Sequence, residues 1–123
     1  MGYVDGFVIP VPKANREAYR DVAARFATLW LENGAERVVE CWGDDLSHGK
    51  VTDFFTAVKA GEDETVVFSW VYWPSKEVRD RGNAAIMEDS RMQGISMPFD
   101  GMRLVSGGFE VIVEKGAGKE GGA

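Results

Sequence analysis

"TVVFSWVYWPS" (residues 65–75) is the most strand-like run in the chain: from Thr65 to Trp73 every residue but Ser69 is β-branched or aromatic. Pro74 ends the run, and Ser75 stands where it can cap a helix. That helix is "KEVRDRGNAAIMED" (76–89), with Val78, Gly82, Ala85 and Ile86 on its inner side. Upstream, "ERVVECWGDD" (36–45) is a second strand closed by a Gly-Asp-Asp turn. Before it, "NREAYRDVAARFATLWLENG" (15–34) repeats Tyr19, Val22, Phe26, Leu29 and Trp30 at helical spacing, and Asn33-Gly34 supplies a left-handed stop. "YVDGFVIPV" (3–11) opens the chain as a strand, with Pro10 and Pro12 ending its ladder. Residues 46–64 hold no sustained period and form a long excursion, with a short extended piece expected at Val51 to Phe55. A last strand is expected from Arg103 to Lys115.

The order strand, helix, strand, strand, helix, strand predicts an α+β, ferredoxin-like βαββαβ domain. Right-handed crossovers then put the first and third strands in the middle of a four-stranded antiparallel sheet. At 123 residues the chain is one domain, taken as 1–115, and the glycine-rich "GAGKEGGA" (116–123) is a flexible tail by composition.

Charge and composition narrow the functions. A net charge of -6 with scattered basic residues disfavours nucleic acid as a partner. One cysteine, Cys41, excludes an internal disulfide and a cysteine-built zinc site, and inside a strand it is expected to be a small buried hydrophobe. The start "MGYVDGFVIP" lacks a basic leader and is too short in its apolar run to span a membrane, so a cytoplasmic protein is expected.

Alternation sorts each central strand into two faces. Val4, Gly6 and Val8 share one, and Tyr3, Asp5, Phe7 and Ile9 the other; Val67, Ser69 and Val71 share one, and Phe68, Trp70 and Tyr72 the other. The smaller sets suit helix packing, which would leave Tyr3, Phe7, Phe68, Trp70 and Tyr72 uncovered. Each large apolar side chain is worth roughly 1.5–3 kcal/mol when buried, so a second copy of the chain is expected to cover this face as a homodimer.

The segments "YVDGFVIPVPK", "VECWGDD", "GKVTDF", "DETVVFSWVYWPS" and "MPFDGMRLVSGGFEV" resemble those of the YbaA-like family of small bacterial proteins, a domain of unknown function within the dimeric α/β-barrel superfamily. The resemblance implies a ferredoxin-like protomer pairing sheet to sheet and implies no activity. The superfamily includes cofactor-free monooxygenases, haem-degrading enzymes and small-molecule-binding domains, which is likeness of fold alone.

The candidate ligand-binding residues are Tyr3, Asp5, Trp42, Trp70 and Arg103. Asp5 is a carboxylate set among aromatic rings, where burial would raise its pKa, against the alternative that it lies at the sheet rim, solvated or paired with an arginine; in a cofactor-free enzyme it would be the proton acceptor. Glu40 shares a strand face with Trp42 and could join the same pocket, although on an edge strand an exposed glutamate is the expected account. Pro98-Phe99-Asp100-Gly101 carries turn chemistry, and Gly107-Gly108 inside a strand means a bulge or a close backbone approach, which leaves Arg103 as an anion contact. His48, the single histidine, has no ligand cluster and is expected in an exposed loop, so neither a metal nor a cofactor is expected. A small, partly aromatic molecule held near the aromatic face is the leading reading. A cofactor-free enzyme, an RNA-recognition platform disfavoured by charge, and a purely structural dimer stand as alternatives.

Overall fold

The computed structural model describes residues 2–117; most of the 116–123 tail lies outside them. Four strands and three helices follow in the order β1 (Tyr3–Pro12), α1 (Arg16–Glu32), β2 (Arg37–Trp42), α2 (Phe54–Ala57), β3 (Glu64–Trp73), α3 (Lys76–Met87) and β4 (Val105–Glu110). The sheet order is β2-β3-β1-β4, every neighbour antiparallel, so the two central strands are the ones the crossover argument selects.

The helix ends obey their local chemistry. Asn33 closes α1, and Gly34 follows at φ +110°, where a Cβ would be strained. Ser75 Oγ accepts the Val78 N–H at 3.2 Å to start α3. α3 then crosses so close to the end of β3 that a Cβ on Gly82 would stand 2.6 Å from the fully buried Trp73 ring. Gly82 and Ile86 are buried as their spacing predicts, whereas Ala85 is exposed and Asn83 turns inward.

Several expectations are corrected. Val51 to Phe55 is no extended piece: Phe54–Ala57 is a helical turn, because Asp53 Oδ1 accepts the Thr56 N–H at 2.7 Å. β4 stops at Glu110 rather than Lys115, because β1 begins at Tyr3 and offers no strand beyond a last bond from Val111 N–H to Gly2 O. Pro10 and Pro12 do not end the ladder of β1. Lys13 N–H donates to Asp63 O on the β3 side and Gly2 O accepts on the β4 side, so alternation turns both proline nitrogens to the β4 flank, where β4 has already ended opposite Val8. Gly107-Gly108 pairs in unbroken register with Gly6 and Asp5, so it is a close approach and not a bulge. A Cβ on Gly108 would stand 2.6 Å from the Arg79 guanidinium and would strike the Tyr3 hydroxyl.

The register also redistributes the two faces. Tyr3 pairs with Trp73, Asp5 with Val71 and Phe7 with Ser69, so Tyr3, Asp5 and Phe7 lie on the helix side with Ile9 and Val67. Phe7 packs there against Trp30 of α1, ring centroids 5.9 Å apart. The open face keeps Phe68, Trp70 and Tyr72, now with Val4, Val8, Val39, Cys41 and Phe109. Cys41 is exposed, contrary to its expected burial, because alternation along β2 points it away from the helices.

Candidate functional site

The five residues singled out by sequence are dispersed. Asp5, 5 % exposed, is surrounded by donors: Trp73 Nε1 at 3.0 Å and Asn83 Nδ2 at 3.2 Å on Oδ2, Arg79 Nε at 2.9 Å and Nη2 at 2.8 Å on Oδ1. Arg79 lies over the Tyr3 ring at 5.1 Å, and Asn83 accepts from Trp30 Nε1 at 3.1 Å. The cluster ties β1, β3, α1 and α3 together and fills the carboxylate's lone pairs. Trp70 is on the opposite side of the sheet, 5.7 Å from Phe68. Arg103 meets both Glu64 oxygens at 2.8 Å, Asp100 Oδ2 at 2.9 Å and Lys59 O at 2.8 Å, which fastens the 97–104 segment to the start of β3. Its bond holds the Glu64 carboxyl below the usual range, helped by the Gly61 N–H. Asp100 caps the turn Gly101–Arg103 through the Met102 N–H. His48 is exposed in its loop, stacked on Phe55 at 4.8 Å.

Trp42 leads to a different place. Pairing of β2 with β3 sets Glu40 beside Ser69 and Trp42 beside Val67, all on the helix side. Helical spacing brings Arg16, Tyr19, Arg20 and Ala23 down the near edge of α1. Between them lies a cleft of about 390 Å³, lined by Arg16, Tyr19, Arg20, Glu40 and Trp42 among others. Deeper under α1 is a second, almost wholly apolar cavity of about 190 Å³, lined by Phe7, Phe26, Trp30, Met97, Phe99 and Leu104. Tyr19, Ala23 and Glu40 line both.

Tyr19 is the hinge of this arrangement. Its hydroxyl donates to Glu40 Oε1 at 2.6 Å, and its ring sits 5.8 Å from Phe99 and 6.5 Å from Trp42. Burial pushes the Glu40 carboxyl up, against the opposing hydrogen bonds of Tyr19 and Ser69; burial and the Glu40 bond raise the Tyr19 hydroxyl as well. A carboxyl and a phenol between apolar walls can orient a ligand through its polar atom or exchange a proton with it. Sequence pairing of Glu40 with Trp42 pointed here. Nothing in the sequence marks Tyr19, Arg16 or Arg20 as site residues, since Tyr19 fits a core position equally well and exposed arginines give no periodic signal. Among the described residues, no three His, Cys, Asp or Glu side chains gather into a metal-binding group, and no helix is long and apolar enough to cross a membrane.

Comparison with known sequences matches residues 2–101 to the family described as "Protein of unknown function (DUF1428)". The chain is 57 % identical over 117 residues to "Uncharacterized protein YbaA" of Escherichia coli (strain K12), covering 94 % of this chain and 100 % of that one. The protein of the same description from Shigella flexneri gives the same figures.

Proposed function

The chain belongs to the DUF1428 family, proteins of unknown function, and on that premise we propose that it binds a small, partly aromatic molecule in the space beneath α1. The carrying observation is the Tyr19–Glu40 pair, one polar anchor shared by the cleft and the apolar cavity beside it. Trp42 is the sequence candidate that takes part in the pocket, while Tyr3, Asp5 and Arg103 brace the frame around it. Trp70 belongs to the open face, which a second copy of the chain covers in a sheet-to-sheet homodimer of the dimeric α/β-barrel kind. The cytoplasm suits a chain whose one thiol, Cys41, is exposed.

A second reading rests on the same pair: an enzyme with no fixed cofactor, in which Glu40, its carboxyl raised by burial, takes the proton. Binding itself is tested with 2-naphthol, an aromatic ring with one hydroxyl. It should raise the thermal midpoint of the wild-type protein, because a ligand that binds only the folded state stabilises it. Ala23→Leu fills the position common to both cavities and should abolish that rise. An equal rise in both proteins would place the ligand elsewhere.

A further inference from the structure

Two arginines at the lip of the cleft are not held as Arg79, Arg91 and Arg103 are. Arg79, Arg91 and Arg103 each reach a carboxylate at 2.8 Å. Among the described residues Arg16 has no carboxylate within ion-pair distance, and its guanidinium lies 5.5 Å from the Trp42 ring centroid. Among the same residues Arg20 reaches only Glu17, at 3.5 Å, with both side chains about three-quarters exposed (79 % and 75 %). In a chain of net charge -6 such a pair makes a local positive site, and it stands at the lip of a cleft that shares Tyr19, Ala23 and Glu40 with the apolar cavity.

The two ends are connected through shared residues. Ala23 contributes only a methyl group to the boundary between the cavities, beside the Tyr19–Glu40 bond. An apolar body entering past Ala23 therefore leaves its other end within reach of Arg16 and Arg20. We propose that the two cavities are one site for an amphipathic organic anion: an aryl or alkyl body sits in the inner cavity, and a carboxylate stays at the lip against Arg16 and Arg20. This rests on the reading that the space beneath α1 binds a ligand, and it names the ligand's class. Arginine suits the task because its planar fork matches a carboxylate. The Glu40 carboxyl, pushed toward its neutral form by burial, opposes such an anion less than a fully ionised one would.

A matched pair of probes tests this: 4-phenylbutyrate and 4-phenylbutan-1-ol, titrated separately into the ¹⁵N-labelled protein. The acid should bind about tenfold more tightly than the alcohol, a difference of about 1.4 kcal/mol, and shift the indole N–H signals of Trp30 and Trp42. The Arg16→Gln/Arg20→Gln double variant changes two exposed side chains. It should keep a folded spectrum, bring the acid down to the affinity of the alcohol, and leave the alcohol unchanged. Equal affinities in the wild-type protein, or a preference that survives the double variant, overturns the proposal. If 2-naphthol still binds in an Ala23-dependent way, only the anionic class fails; if neither it nor the probes bind, the ligand-binding reading falls too.

Discussion

Asp5 and Glu40 are both acids on the helix side of one sheet, yet their neighbours differ. Asp5 meets a guanidinium and two neutral donors, so its charge is matched where it is buried. Glu40 meets the Tyr19 phenol and the Ser69 side chain and is opposed by burial, with no cation bonded to it among the described residues. Glu64 is the counter-example: Arg103 and the Gly61 N–H favour its ionised form. The signs of the two pH effects are therefore opposite. Native Glu40 holds its proton above the ordinary glutamate value of 4.5, so its contribution is present at low pH and is lost as pH rises through the native pKa. Native Glu64 releases its proton below 4.5, so its contribution is present above that value and is lost as pH falls. Glu40→Gln should accordingly gain on the wild-type protein as pH rises from 4.5 toward neutrality, whereas Glu64→Gln should lose ground as pH rises to 4.5 from the acid side and hold level above it. Urea denaturation on both sides of pH 4.5 reads the two effects, and a Glu40→Gln difference that stays flat would mean the carboxyl is solvated.

At the scale of elements, ends are set by single side chains. Ser75 is the N-cap of α3, and α3 carries Arg79 and Asn83 to Asp5. Ser75→Ala should cost about 1 kcal/mol, seen as a lowered urea midpoint with the slope unchanged. This cap, the Gly34 stop and the strand runs were legible because each depends on neighbours in sequence. The Asp53 cap was as local, but the surrounding Val51 and Phe54 masked it with β-like composition. Strand register was not legible. Alternation sorted Tyr3, Asp5 and Phe7 correctly among themselves, but which face of β1 lies beside which face of β3 depends on a pairing that neither strand states alone. Trp30 of α1, itself packed against Phe26, accepts Phe7, so aromatic bulk did not mark the face away from the helices. That one inversion separated Asp5 from Trp70 and left Glu40 and Trp42 as the part of the candidate site that sequence had brought together.

For the molecule as a whole, the open face bears on association. Phe68 is 46 % exposed and Phe109 60 %, and they share that face with Trp70, Val4 and Val8. Pairing through this face predicts a dimer in sedimentation velocity at micromolar concentration. Phe68→Glu, which puts a charge in the middle of the contact, should shift it to monomer while the circular dichroism is unchanged. A monomeric wild-type protein would refute the pairing. The outer flank of β1 bears on the opposite hazard. Past Val8 that strand has a strand partner on one side alone, and such a flank elsewhere would template any extended segment passing by. Here Pro10 is fully buried and Pro12 half-buried, and neither nitrogen carries the donor that a newcomer would need, so this flank offers fibril growth no ladder to extend.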